Sequence, residues 1–290
     1  MLHKFFLAIL VLTISGAIIV YEPAATSDPA AAPTDRAKED LSRFVYPSLA
    51  NIKWKARFIM PDDSLERLFG DNWVHAARFN RIDRRHVYPG MTIKVPEKME
   101  DIIDYCPLPR HYGPAKQYPK YILVDVEEQW LAAYEFGTLK LSMPAATGIA
   151  GHLTPVGIYK VDARHKDHSS SLYKTHKGDA QYPMDYAVRF HIDRDHVSYW
   201  IHARDLPGRP ASHGCIGVFD EGMQKRVYGV PAQPELNDAA RLYYFVYDEE
   251  DEDASRITLI DDGPPVEIRG KLPRYLALPA APLPRQFALF

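Results

Sequence analysis

The chain has 290 residues, 46% of them hydrophobic and 12% aromatic, and a formal net charge of −3. That is material for one large domain or two modest ones with a packed core. The near balance of charge argues against an electrostatic grip on nucleic acid and against a polybasic membrane patch, so function has to be sought in local motifs.

Lys4 precedes an apolar run from Phe5 to Val20, followed by Glu22-Pro-Ala-Ala. A basic start, an apolar stretch and small residues behind it describe an export signal. The run is short for a spanning helix of about 20 residues but longer than many cleaved signals. Residues 1–24 are therefore read as a signal peptide or a retained membrane anchor. Residues 25–50, alanine-rich with Pro29 and Pro33, read as a linker, with a compact unit beginning near Asn51.

Within 51–97, Arg57-Phe-Ile-Met runs to Pro61, and Ser64–Phe69 and Trp73–Phe79 carry helical apolar spacing. Asp62 or Asp63 is the expected cap of the first helix. Val87 to Pro96 opens on a Pro89-Gly90 turn and alternates as a strand. Strand, two helices and strand predict a small α+β module. Residues 98–117, proline-rich with a Tyr112-Gly-Pro turn signal, read as a second linker.

From 118 to 271 the pattern is one of short, turn-punctuated strands. Tyr121–Val126 and Trp130–Phe136 predict a hairpin, continued by Leu139–Pro144, Gly157–Val161, Tyr186–Phe190 and Val197–Ile201. A helix is expected over Asp238–Val246, a solvated acidic loop over Asp248–Asp253, and closing strands in Ser255–Ile260 and Val266–Ile268. The fold class is a mainly β domain behind a small α+β one, with a tail from 272 to 290 that shows no periodicity.

Two cysteines, Cys106 and Cys215, permit one disulfide but make no disulfide framework. Cys106, in Tyr105-Cys-Pro-Leu-Pro, reads as a small half-buried residue. Cys215 closes His202-Ala-Arg-Asp-Leu-Pro-Gly-Arg-Pro-Ala-Ser-His-Gly-Cys. A thiol attacks as its thiolate, and a neighbouring imidazole is the commonest means of producing one near neutral pH. His202 and His213 both qualify by proximity in sequence, and Gly214 permits the tight turn that aims backbone N–H groups at a developing oxyanion. The same three side chains as a zinc site would lack a CxxC pair and a fourth ligand.

Thr147-Gly148, Thr154-Pro-Val-Gly-Ile-Tyr159, Pro183-Met-Asp-Tyr-Ala187, Ile201-His202 and Ser212-His-Gly-Cys-Ile216 occur in an order that resembles the L,D-transpeptidase (YkuD) catalytic domain. The likeness runs from about Tyr118 to Val218 and more faintly to Gly270. It implies an L,D-transpeptidase-like β-sandwich, with Cys215 as the acylated nucleophile and His202 as general base. Ala203 would orient that histidine through its carbonyl, and His213 would shape the site. Gly214 and Cys215 would supply oxyanion N–H groups, with Ser212 holding the loop. Asp63-Ser64-Leu65, Asn80 and Tyr88-Pro-Gly-Met-Thr-Ile-Lys-Val-Pro96 resemble the glycan-binding LysM domain, which makes 51–97 a LysM-like domain.

The family resemblance implies an exported enzyme of the periplasm or cell envelope that works on peptidoglycan stem peptides and glycan, with no metal or organic cofactor. The acceptor would be an amine, from a second stem or an envelope lipoprotein. A hydrolase on the same scaffold, or a non-catalytic peptidoglycan-binding protein, are the alternatives. The sequence departs from the family pattern at Gly217, where an arginine is usual; Arg204, Arg209 and Arg189 are the candidates to replace it.

Overall fold

The computed structural model describes residues 39–175, 178, 180–247 and 255–276. The expected signal or anchor, the start of the first linker, the acidic run and the tail beyond Leu276 lie outside the described residues. In chain order the strands are β1 (Phe44–Val45), β2 (Trp54–Phe58), β3 (Thr92–Pro96), β4 (Tyr121–Asp125), β5 (Trp130–Glu135), β6 (Thr138–Ala146), β7 (Gly157–Lys160), β8 (Ala163–His165), β9 (Ser169–Lys174), β10 (Gln181–Pro183), β11 (Ala187–Ile192), β12 (Ser198–Arg204), β13 (Ile216–Phe219), β14 (Thr258–Leu259), β15 (Pro265–Arg269) and β16 (Arg274–Tyr275). The helices are α1 (Leu65–Phe69), α2 (Trp73–Asn80), α3 (Glu221–Tyr228) and α4 (Asp238–Val246).

Ten strands form one sheet in the order β14-β8-β11-β12-β13-β6-β5-β4-β15-β7. The sheet curls, so that Tyr159 on its last strand meets Phe190 and His191 on β11 with ring centroids 5.6 and 4.7 Å apart. Curling encloses the main core, in which Ile122, Leu131, Val188, Ile201 and Val266 are joined by Leu242 and Tyr243 of α4. The near-continuous apolar runs of β4 and β5 follow from burial on both faces. Ile122, Val124 and Leu131 point into that core, while Leu123, Trp130 and Tyr134 pack under Leu108 and Ala115. The stretch expected as a second linker is thus the cover of this sheet face. Cys106 lies in it as a free, half-buried thiol donating to Leu108 O at 3.3 Å.

Residues 54–96 show the expected strand–helix–helix–strand order, with β2 and β3 antiparallel from Trp54↔Pro96 to Phe58↔Thr92. The helix cap differs from the expectation. Ser64 caps α1 by accepting from the Arg67 N–H at 3.2 Å, whereas Asp63 accepts from the Met60 N–H one turn earlier. A hydroxyl at the residue before the helix reaches the third amide, which a residue further back cannot.

The module does not stand apart from the sheet. Its apolar side chains Ile59, Leu65, Trp73, Ile82 and Ile93 share one buried cluster with Leu206, Phe219 and Leu236 of the catalytic region. Packing also begins before Asn51, since Leu41, Tyr46 and Leu49 are buried and β1 pairs with β16. The buried Arg81 donates from Nε to Glu128 O at 3.1 Å, pairs with the Glu128 carboxylate at 3.3 Å and lies 3.8 Å over the Tyr46 ring. Residues 39–50 and the proline-rich stretch 98–117 therefore pack with the rest of the described body.

Candidate active site

β12 and β13 are parallel neighbours, in register Ile201↔Ile216 and His202↔Gly217. Continuing the register by one residue sets Cys215 level with Trp200. Strand alternation puts Trp200, His202 and Arg204 on one face of β12, with Cys215 and Gly217 on the same face of its neighbour. All of these side chains except Gly217 line one cavity of about 800 Å³.

Parallel strands need a crossover connection, and here it is the loop from Asp205 to Cys215. The N-terminal unit holds it. Buried Asp83 accepts from the Leu206 N–H at 2.7 Å and its own N–H donates to Leu206 O at 2.9 Å. The Tyr46 hydroxyl donates to Gly208 O at 2.9 Å, and Arg209 pairs with Glu39. Other recurrent motifs brace the far end: Ser212 N–H donates to Thr147 O, and Ile149 N–H to Ser212 O at 3.0 Å. Ala203 N–H donates to Asp185 O at 2.8 Å, fixing the strand just after His202.

His202 is buried, and its Nδ1 lies 2.7 Å from Ala203 O. A carbonyl only accepts, so Nδ1 carries the proton and Nε2 holds the free lone pair. Burial, then the Arg204 and His168 charges, push His202 down to about 3, against the Ala203 bond that raises it. Burial also raises the Cys215 thiol, opposed by the Trp200 N–H and by Arg204. Both directions favour the uncharged forms. The resting pair is a thiol and a neutral imidazole, not a thiolate and an imidazolium.

In the loop before Cys215, Ser212 Oγ donates to Cys215 O at 2.5 Å and accepts from Gly214 N–H at 3.1 Å. The Gly214 N–H thus donates to Ser212 within the turn, and no bond within the loop engages the N–H of Cys215. Gly214 is needed for its conformation. Its φ is +113°, and a Cβ there would sit 2.6 Å from the Tyr199 ring.

His213 lines the loop side of the same cavity and is half-buried. Its ring stacks on Tyr173 of β9 at 4.6 Å and meets His152 edge-on at 4.7 Å, and it makes no hydrogen bond among the described residues. Arg189 pairs with Asp162 and Arg209 with Glu39. Arg204 is the member of that trio whose stem crosses Gly217. Strands β1, β8, β9, β10 and β16 and helix α3 lie outside the expected elements, and Tyr173, Tyr182, His168 and the N-terminal unit's Arg85 join the cavity lining unforeseen. None sits in a motif or at a periodic position that would have marked it. Among the described residues no group of three or more His, Cys, Asp or Glu side chains is placed to hold a metal ion.

Residues 119–268 match the YkuD family, the L,D-transpeptidase catalytic domain. No curated protein matches the chain. Similar solved structures include an L,D-transpeptidase from Stackebrandtia nassauensis, at 17% identity and TM-score 0.37, covering 70% of this chain and 69% of that one. L,D-transpeptidase 1 from Mycobacterium tuberculosis is 17% identical with TM-score 0.33, over 52% of this chain and 62% of that one. The L,D-transpeptidase from Xylanimonas cellulosilytica is 20% identical with TM-score 0.37, over 67% and 79%. With more than half of its length matched to the family, the chain belongs to the YkuD L,D-transpeptidases.

Proposed function

We propose that the protein is a peptidoglycan L,D-transpeptidase acting through a Cys215 acyl-enzyme. The observation that supports this reading most directly is the placement of Cys215 and His202 on the same face of two adjacent parallel strands, both lining one cavity, with Ala203 O setting the tautomer that leaves the His202 Nε2 lone pair free. The Cys215 thiol passes its proton to His202 Nε2 as sulfur attacks the carbonyl carbon preceding the terminal D-alanine of a tetrapeptide stem. The Cys215 N–H and the neighbouring backbone stabilise the oxyanion. Collapse of the tetrahedral adduct expels the D-alanine amine, which takes the proton back from the imidazolium and leaves a thioester. An acceptor amine then attacks the thioester, gives its proton to His202, and the amide product leaves as Cys215 regains a proton. A second stem as acceptor yields a 3-3 cross-link, an envelope lipoprotein yields an anchored protein, and water yields a trimmed stem.

The protein acts in the cell envelope, held or exported by residues 1–24. Residues 51–97 act as a LysM-like glycan contact, for which Phe58 and Met60, 57% and 54% exposed, are apolar candidates. Incubating the purified protein with disaccharide-tetrapeptides, followed by mass spectrometry, tests the reaction. Dimers support transpeptidation, tripeptides alone the hydrolase, and unchanged substrate a non-catalytic wall-binding role. Co-sedimentation of the full chain with purified peptidoglycan tests the glycan contact: binding that Phe58→Ser with Met60→Ser leaves untouched would remove these two residues from it.

A further inference from the structure

Arg204 closes β12 beside the cysteine cavity and is 9% exposed. Its guanidinium donates to Ala211 O at 2.6 Å, while its Nε is buried with no hydrogen-bond partner. Among the described residues no carboxylate pairs with it. The other two arginines of the cavity differ, since Arg85 pairs with Asp205 and Arg189 with Asp162. Asp205, next to Arg204 in the chain, turns its carboxylate to Arg85 and the Tyr228 hydroxyl.

A guanidinium cannot relieve its burial by losing a proton. A charge held out of water is costly unless it is paired and hydrogen-bonded; the Tyr182 ring, 5.7 Å from the Arg204 guanidinium, and Ala211 O leave it with no anionic partner and an unbonded Nε. The neighbouring strand is shaped to accommodate it. A Cβ at Gly217 would fall 2.3 Å from Arg204 Cδ and 2.5 Å from its Cβ, so the arginine stem lies where any side chain at 217 would begin. Arg204 and a side chain at 217 therefore exclude each other, and glycine stands where the family pattern has an arginine.

We propose that Arg204 anchors a carboxylate-binding subsite of the Cys215 cavity, gripping a free carboxylate of the stem peptide and supplying from β12 the guanidinium that position 217 lacks. This rests on the transpeptidase reading above. Two carboxylates of the stem share the required chemistry: that of the terminal D-alanine and the free one on the diaminopimelate side chain. A planar fork to either makes short, charge-assisted bonds.

The test is calorimetric binding to full-length Cys215→Ala protein, which holds substrate without turnover. Three probes are used: a disaccharide-tetrapeptide with both carboxylates free, its C-terminal amide, and its diaminopimelate carboxamide. One of the amides is expected to bind about 10- to 100-fold more weakly than the free stem, and which one identifies the carboxylate. Adding Arg204→Gln should weaken the free stem by a similar factor and abolish the preference over that amide. Arg204→Lys, which keeps the charge without the fork, should retain part of the preference. Arg204→Gly combined with Gly217→Arg should restore it, because removing the stem clears the space at 217.

Equal binding of all three probes to the Cys215→Ala protein overturns the subsite while leaving the transpeptidase reading intact. Equal weakening of all three by Arg204→Gln also overturns it, since that is the pattern of an arginine that merely holds Ala211. Failure of the parent to bind any stem overturns the reading on which the subsite rests.

Discussion

The two sides of the cavity hold the same kinds of residue in opposite circumstances. On the strand side, His202 is buried, hydrogen-bonded at Nδ1 to Ala203 O, and carried on a strand with partners on both edges. On the loop side, His213 is half-buried and, among the described residues, is held by ring contacts with Tyr173 and His152. Both histidines lie close to Cys215 in sequence, and both are pushed down in pKa chiefly by burial. The difference is orientation. A base whose tautomer is set by a carbonyl presents one defined lone pair to the thiol, whereas a stacked ring can turn about its bonds and serves better as a wall.

Substitutions on the two sides should separate accordingly. Cys215→Ala has the largest expected effect, a loss of turnover of at least about 1,000-fold, because no other group can form the thioester. A carbapenem should add one acyl mass to the wild type and none to this variant, as read by intact-protein mass spectrometry. His202→Ala should cost about 100- to 10,000-fold in acylation rate, the range for a lost general base. If His213→Ala proved the more severe of the two, the assignment of base and wall would be reversed.

Gly214→Ala tests the turn between the two sides. The left-handed φ alone carries a penalty of about 1–3 kcal/mol for a non-glycine residue, and the contact with Tyr199 adds to it. A lower melting temperature together with slower acylation is expected. An alanine variant with unchanged values for both would show that the turn tolerates a different path.

The buried histidines also predict how stability depends on pH. His202 is held at about 3 and His168 at about 4, each chiefly by burial, against an ordinary value of 6.5. Below pH 6.5 the unfolded chain takes up protons at these rings that the folded chain refuses, so stability falls as the pH drops toward 4. Asp220, raised by burial to about 6, acts in the opposite sense, because the folded chain binds its proton first. His213, also lowered by burial, acts with the two rings, and Glu128 and Asp185, also raised by burial, act with Asp220, so the separate contributions are read from substitutions and not from the net slope. Relative to the wild type, Asp220→Asn should lower the melting temperature at pH 5 against that at pH 7, and His202→Gln should raise it, as followed by thermal unfolding. The smallest effect is expected on the loop side, where His213→Ala should slow acylation by about tenfold or less, since it removes ring contacts and no proton transfer.

Much of this site is legible in the chain. Ser212-His-Gly-Cys215 and the histidine at 202 announce thiol chemistry locally, and Tyr121–Asp125 with Trp130–Glu135 read as strands because their apolar runs are bounded by turn residues. Trp73–Asn80 and Asp238–Val246 carry helical periodicity strong enough to be read directly. Helix α3 was not legible, because its sequence Glu-Gly-Met-Gln-Lys-Arg-Val-Tyr has a glycine inside and mostly polar residues. It is held in place by the cap at Asp220 and by packing of Met223 in the main core.

What the sequence by itself determined is local: a candidate nucleophile, its candidate bases, the glycine that the turn demands, and a mainly β chain. Each of these depends on neighbours within a few residues. Tertiary structure decided the rest, because it depends on which distant segments come to lie side by side. Parallel pairing of β12 with β13 chose His202 over His213 as the histidine on the face of Cys215. The Gly214 amide donates to Ser212 in a turn whose bonds no spacing reveals. Arg204 came to lie across Gly217 only through the same pairing. The shared core of Ile59, Trp73, Phe219 and Leu236 made one body of two apparent domains, since apolar faces left over by a small module and by a curled sheet are buried most fully against each other.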